Sequence, residues 1–345
     1  MKRSLIFLLA GSLLLAPSVL ASEFDAAQTA SREGRWKDAL VLWQAASDKY
    51  PADAEVAAQV GFAELNTGRL PDAKRTLTRA ARLSPSNLLA QSGLVQVAIR
   101  EHRFDDAVNI ASRAARAHPD SADAYRSLGD AQKAASRRSD AEDSYRRATV
   151  LGPDDWQNHA SLADAVLMRN KADEAVKEYR QAVRLNPNDG ALREALGRAA
   201  MQGDLYGEAA KCYVDAIDFA RKPAPDWERI DRLTLLAIDA LGRAAVALRD
   251  GDQARQDVFD ANTRALTVAD ALLELPIVAD SDPRANPAMA QRATAYALLS
   301  QAAAADLAAL RKSTGSDAAD AAVYREQARR AVVAARAAGL KPVAL

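Results

Sequence analysis

One spacing governs most of this chain. Pro51, Pro85, Pro119, Pro153 and Pro187 stand 34 residues apart. Ala39, Ala73, Ala107, Ala141, Ala175 and Ala209 keep the same interval, as do Ala46, Ala80, Ala114, Ala148, Ala182 and Ala216. Between the two alanine columns runs Trp43, Leu77, Ala111, Tyr145, Tyr179, Tyr213. Earlier in each unit come Ala26, Val60, Leu94, Leu128, Leu162, Leu196 and, one residue on, Ala27, Gly61, Val95, Gly129, Ala163, Gly197. Self-similarity at such a period is the mark of a repeat architecture, in which one short unit recurs.

The unit follows from the spacing. Each holds two apolar-periodic stretches of helical length with polar turns between and after them. Gly34 and Gly68 punctuate the first turns, and proline stops the second stretch in each of the first five units. Ala39 and Ala46 are seven residues apart, so they share one helix face two turns along. Small residues there let two helix axes approach, and the aromatic or leucine between them fills the remaining space. A lone hairpin cannot bury its apolar face, but stacked hairpins can. The expected fold is all-α, a right-handed α-solenoid of antiparallel helix pairs.

Leu128-Gly129, Ala141, Tyr145, Ala148 and Pro153 resemble the tetratricopeptide repeat, as do Trp36, Ala39, Trp43, Ala46 and Pro51. The resemblance covers residues 22 to 221. Val95 departs from it where glycine or alanine is usual, and Arg138 and Ala172 depart where a large apolar residue is preferred. These departures are expected to loosen individual repeats.

The two ends read differently. Lys2 and Arg3, the apolar run Leu5 to Leu15, the break at Pro17-Ser18 and Val19-Leu20-Ala21 form a secretory signal, with cleavage expected after Ala21. The run is short for a membrane anchor, the competing reading, which needs about 20 apolar residues. Lipidation at the cleavage site needs a cysteine, and the sole cysteine is Cys212. The mature chain is therefore expected to be periplasmic or secreted. Of 46 basic and 46 acidic residues, loss of Lys2 and Arg3 leaves a net charge of −2.

Residues 22 to 223 are read as six repeats and 224 to 345 as longer, divergent helical hairpins. After Cys212 and Tyr213 the register slips, and Lys222-Pro223-Ala224-Pro225 breaks the chain. An amphipathic helix is expected from Asp226 to about Arg249, with Ile230, Leu233, Ala237, Leu241, Ala244 and Leu248 on one face. Further helices are expected to about Leu275, from Ala288 to about Lys312, and from Ser316 to near Gly339, with a proline-bearing loop at 276–287. The last pair reads as a capping hairpin, with a separate four-helix domain as the alternative.

The catalogue of reactive groups is short. A single cysteine excludes a disulfide framework within the chain and any cysteine-based zinc ribbon. Balanced charge and four dispersed tryptophans argue against a nucleic-acid partner. There is no nucleophile elbow, phosphate loop or His-Glu-x-x-His. His102 falls in a turn, His118 at a helix end before Pro119, and His159 on a first helix, where packing is the expected role. Asp154-Asp155 and Asp250-Gly251-Asp252 lack the ligand pattern of a calcium loop. No catalytic residue, metal or cofactor is expected.

The family resemblance implies that the first helices of successive repeats line a concave groove. One groove column is Gln28, Phe62, Gln96, Asp130, Asp164 and Arg198; a second is Arg32, Asn66, Arg100, Ala134, Met168 and Gln202. Phe62, Gln96, Arg100, Arg126, Asp130 and Lys133 are the expected partner-binding set, a mixture suited to an extended peptide. Some relatives clamp a terminal carboxylate with lysine, asparagine and arginine. The matching positions here hold Phe24, Gln28, Gln59, Leu89 and Gly93, so that clamp is not implied. The expected function is a non-enzymatic interaction scaffold of the bacterial cell envelope. The alternatives are a module for peptides or small ligands, and an enzyme with its site in residues 226 to 339.

Overall fold

A computed structural model describes residues 17–221 and 226–250, together with Asp257, Ala261, Arg264, Ala265 and Thr267. Most of the expected signal, the 276–287 loop and the helices expected beyond residue 267 lie outside these residues, as does the break at 222–225.

Every regular element among the described residues is a helix. The first unit holds α1 (Pro17–Arg32), α2 (Trp36–Lys49), α3 (Ala54–Asn66), α4 (Leu70–Leu83), α5 (Leu88–Arg100), α6 (Phe104–Ala117), α7 (Ala122–Ala134) and α8 (Arg138–Leu151). The second holds α9 (Trp156–Leu167), α10 (Ala172–Leu185), α11 (Gly190–Gln202), α12 (Tyr206–Ala220) and α13 (Trp227–Asp250). Within each unit successive helices pack as antiparallel pairs, the α-solenoid plan. The α13 span matches the helix expected from Asp226 to Arg249, and Ile230, Leu233, Ala237, Leu241 and Ala244 are all buried.

The two kinds of turn are built differently. Between repeats, a side chain caps the next first helix. Asp53, Asn87, Ser121, Asp155 and Asp189 each accept hydrogen bonds from backbone N–H groups of α3, α5, α7, α9 and α11. These residues also recur at 34 and satisfy donors that a helix start leaves unpaired.

Within repeats, the capping is done by backbone. Gly34, Gly68, His102, Ser136, Asn170 and Asp204 all have φ between 58° and 78°. Around them the chain closes in a Schellman pattern: Arg69 N–H donates to Glu64 C=O at 2.8 Å and Gly68 N–H to Leu65 C=O at 3.3 Å. The same pair forms at His102 and Arg103, donating to Ile99 and Ala98 at 3.0 and 2.8 Å. His102 is thus a turn residue, as its place in the period predicts. Left-handed backbone costs a residue with a side chain about 1–2 kcal/mol, and glycine pays little of this. Ser136→Gly is therefore expected to leave the fold unchanged and raise stability by up to about 1 kcal/mol. A lower melting temperature would show that the Ser136 side chain contributes to the turn.

The core is a succession of matched large and small residues. A Cβ added to Gly61 would lie 2.6 Å from Leu77 Cγ, and one on Gly93 would lie 2.7 Å from Leu77 Cδ2. Leu77 thus sits between glycines of two different repeats. In the third repeat the order inverts. Val95 and Ala111 are both fully buried in one apolar cluster, with Ala98, Ala107, Val108 and Ala131. Val95 and Ala111 thus share one buried cluster, the larger residue on the first helix and the smaller on the second.

Candidate functional site

The expected binding residues lie on α3, α5 and α7, the first helices of three successive repeats in the first unit. Their apolar neighbours are consumed by stacking, so the first-helix face carries mainly polar side chains. Within it the six residues have different surroundings.

Phe62 is half-buried and meets the Trp36 ring edge-on, with centroids 5.9 Å apart. Arg100 is committed to the scaffold: its guanidinium donates to the Leu65 carbonyl at 2.6 Å, a second bond to an acceptor that Gly68 N–H already meets near the end of α3. Gln96, one turn earlier on α5, is half-buried. Arg126 pairs with Asp123 at the start of α7.

Asp130 and Lys133 are brought together by a residue of the next helix. The Tyr145 hydroxyl, from α8, donates to Asp130 at 2.7 Å, while the Lys133 ammonium sits 5.9 Å from the centroid of the same ring. Tyr145 itself is fully buried against Gly129, where an added Cβ would stand 2.6 Å from the ring. The close helix approach that glycine permits therefore aims the phenol at Asp130 and fixes the carboxylate. Beside it, Ser144 donates to Gln132 at 2.6 Å. The result is a polar strip whose orientation is set from below.

The second unit repeats this device. The Tyr179 hydroxyl donates to Asp164, and burial followed by the Asp164 charge pushes that phenol well above its ordinary range. A tyrosine fifteen residues after an aspartate is the sequence signal for both pairs, across one helical hairpin. His159 packs as expected, with Nδ1 2.7 Å from Glu178 and Nε2 2.9 Å from the Pro153 carbonyl. Cys212 is a buried free thiol on α12, its ionisation pushed up first by burial. Among the described residues, no group of three or more His, Cys, Asp or Glu side chains is placed to hold a metal ion.

A family model for the tetratricopeptide repeat matches residues 68–134, and a second model of the same description matches residues 160–225. Both stretches overlap the period read from the sequence, the second running to residue 225. Residues 68–134 and 160–225 are tetratricopeptide repeats. No curated protein matches the chain. Among solved structures, the fold is shared with TTC0263, a thermophilic tetratricopeptide repeat protein of Thermus thermophilus. The identity is 22% and the TM-score 0.50, over 52% of this chain and 98% of that one. Pseudomonas aeruginosa pilF matches at 21% identity and TM-score 0.47, over 63% of this chain and 91% of that one. YrrB, a tetratricopeptide repeat protein with an unusual peptide-binding site, matches at 18% identity and TM-score 0.39, over 57% and 96%. Tetratricopeptide repeats are in general protein-binding scaffolds without catalytic activity. No helix among the described residues is long and apolar enough to cross a membrane.

Proposed function

We propose that this tetratricopeptide repeat protein is a non-enzymatic scaffold exported to the bacterial cell envelope. There the first-helix face of its repeats binds an extended segment of a partner protein, not a nucleic acid. The export half rests on the residue 1–21 segment, with its basic start, apolar run and small residues before the expected cleavage point.

The observation that carries the binding half is the strip on α7. Asp130 is fixed by the Tyr145 hydroxyl and Lys133 lies over the same ring, so a donor and an acceptor are presented with little freedom left to lose. A partner that meets fixed groups gives up less conformational entropy on binding. Opposite charges three residues apart suit the alternating amides and charges of an extended peptide. Phe62 and Gln96 offer an apolar contact and an amide on the neighbouring first helices. A second reading, a module for a small ligand, has the Trp36–Phe62 ring pair in its favour.

The test is crosslinking of the tagged protein in its native host, followed by fractionation and identification of what co-purifies. The expected result is a protein at constant stoichiometry in the envelope fraction. It should be lost from an Arg126→Glu, Lys133→Glu double variant that melts as the parent does. Arg100 is left alone because it closes the end of α3. A chain found in the cytoplasm with residues 1–21 intact would overturn export. Undiminished capture by the variant would move the site off this face. A retained small molecule with no protein would favour the second reading.

A further inference from the structure

On the first helices of the second unit, one carboxylate is surrounded by three guanidinium groups. Glu194 on α11 is nearly buried. Its Oε1 lies 3.0 Å from Arg198 Nη1 and 3.3 Å from Arg232 Nη2, and its Oε2 lies 3.3 Å from Arg229 Nη2. Arg198 comes from α11, and Arg229 and Arg232 from α13. One negative charge against three positive charges leaves the cluster with an excess of two.

Of the other acids on these helices, Asp239 is engaged at 3.1 Å by Arg243, and Asp226 accepts the Arg229 backbone N–H at 3.1 Å. Arg229 Nε is buried without a hydrogen-bond partner. The side chains of Arg198 and Arg232, by contrast, are 53% and 56% exposed. Each guanidinium carries five N–H donors, and a single shared carboxylate uses few of them. The face therefore presents two partly satisfied planar forks toward solvent, anchored from behind by Glu194.

We propose that Arg198 and Arg232, with Arg229 behind them, form a second binding site that takes the carboxylates of an acidic segment of a partner polypeptide. The chemistry of the cluster selects a carboxylate. A guanidinium fork matches the two coplanar oxygens of that group, and the cluster already holds one in Glu194. The excess charge draws in a further acid without displacing Glu194, which keeps the arginines from swinging away. The inference stands on the second unit alone and does not depend on the strip around Tyr145.

The experiment measures binding of the full chain to a fluorescein-labelled peptide of alternating Glu and Ser, and to the same peptide with Gln in place of Glu. At low salt the acidic peptide should bind at least about tenfold more tightly, and the preference should shrink as salt screens it. Arg198→Ala with Arg232→Ala should remove the preference, while Lys37→Ala with Arg82→Ala, at exposed cations on second helices of the first unit, should leave it. If the alanine variant melts early, Arg198→Lys with Arg232→Lys decides, since it keeps the charge but loses the fork. A drop of about tenfold there supports the site. Equal affinity for the two peptides, or a preference that survives removal of both arginines, would overturn it. Displacement of the acidic peptide by inorganic phosphate at concentrations where acetate has no effect would overturn the assignment to carboxylates.

Discussion

Gly129→Val is expected to destabilise the first unit by about 3 kcal/mol, and Tyr145→Ala by about 3–5 kcal/mol, but the two together by much less than their sum. The single valine would drive its side chain into the Tyr145 ring, since even a Cβ at residue 129 falls 2.6 Å from that ring. The single alanine would empty a fully buried site and release Asp130. The double variant reproduces the combination of sizes that repeat three uses naturally, where Val95 and Ala111 share one buried cluster. Chemical denaturation of the four proteins gives the coupling directly. A favourable term above about 1 kcal/mol is the expected result. Additive losses would mean that residues 129 and 145 do not compensate one another in size.

Leu77→Ala is expected to cost about 2–5 kcal/mol, toward the upper end. The cost of such a truncation depends on how far the surroundings can collapse into the cavity. Leu77 is wholly buried, and two of the walls around it are Gly61 and Gly93. Neither glycine has a side chain to swing inward, and both lie in helices that have their own caps at Asp53 and Asn87. The space should remain open. Denaturation of the variant beside Leu83→Ala, whose side chain is 44% exposed, separates this from a general effect of losing a leucine. A loss below about 1 kcal/mol would show that α4 shifts to close the gap.

The architecture was legible because it is written in one interval. Prolines, alanine columns and the aromatic column each return at 34, and the helix pairs follow from stacking. The capping residues from Asp53 to Asp189 and the left-handed positions from Gly34 to Asp204 obey the same interval. The packing at Val95 is not visible in either column alone. Size is balanced across two columns, sixteen residues apart, not within either. The binding strip was legible as a list of face positions, not as a set of committed partners. Nothing in the spacing shows that Arg100 reaches back to the Leu65 carbonyl, because a long side chain chooses among acceptors by geometry. The arginine cluster left a fainter trace: Arg232 follows Arg198 by one period, extending a groove column that otherwise stops at six.

The inverted Val95–Ala111 pair bears on how such a chain can be rearranged. Each first helix is size-matched to its own second helix, so the hairpin, not the helix, is the exchangeable part. A crossover in the turn at His102 would join Val95 to a tyrosine or leucine from another repeat, or leave Ala111 opposite a glycine. The first junction collides and the second leaves a void. A crossover near one of the five prolines exchanges whole hairpins and keeps the matches within each hairpin, Pro85 excepted, because Leu77 also packs on Gly93 of the next repeat. Lineages of such proteins should therefore lengthen, shorten and shuffle at the prolines, while the turns inside the hairpins are inherited unbroken.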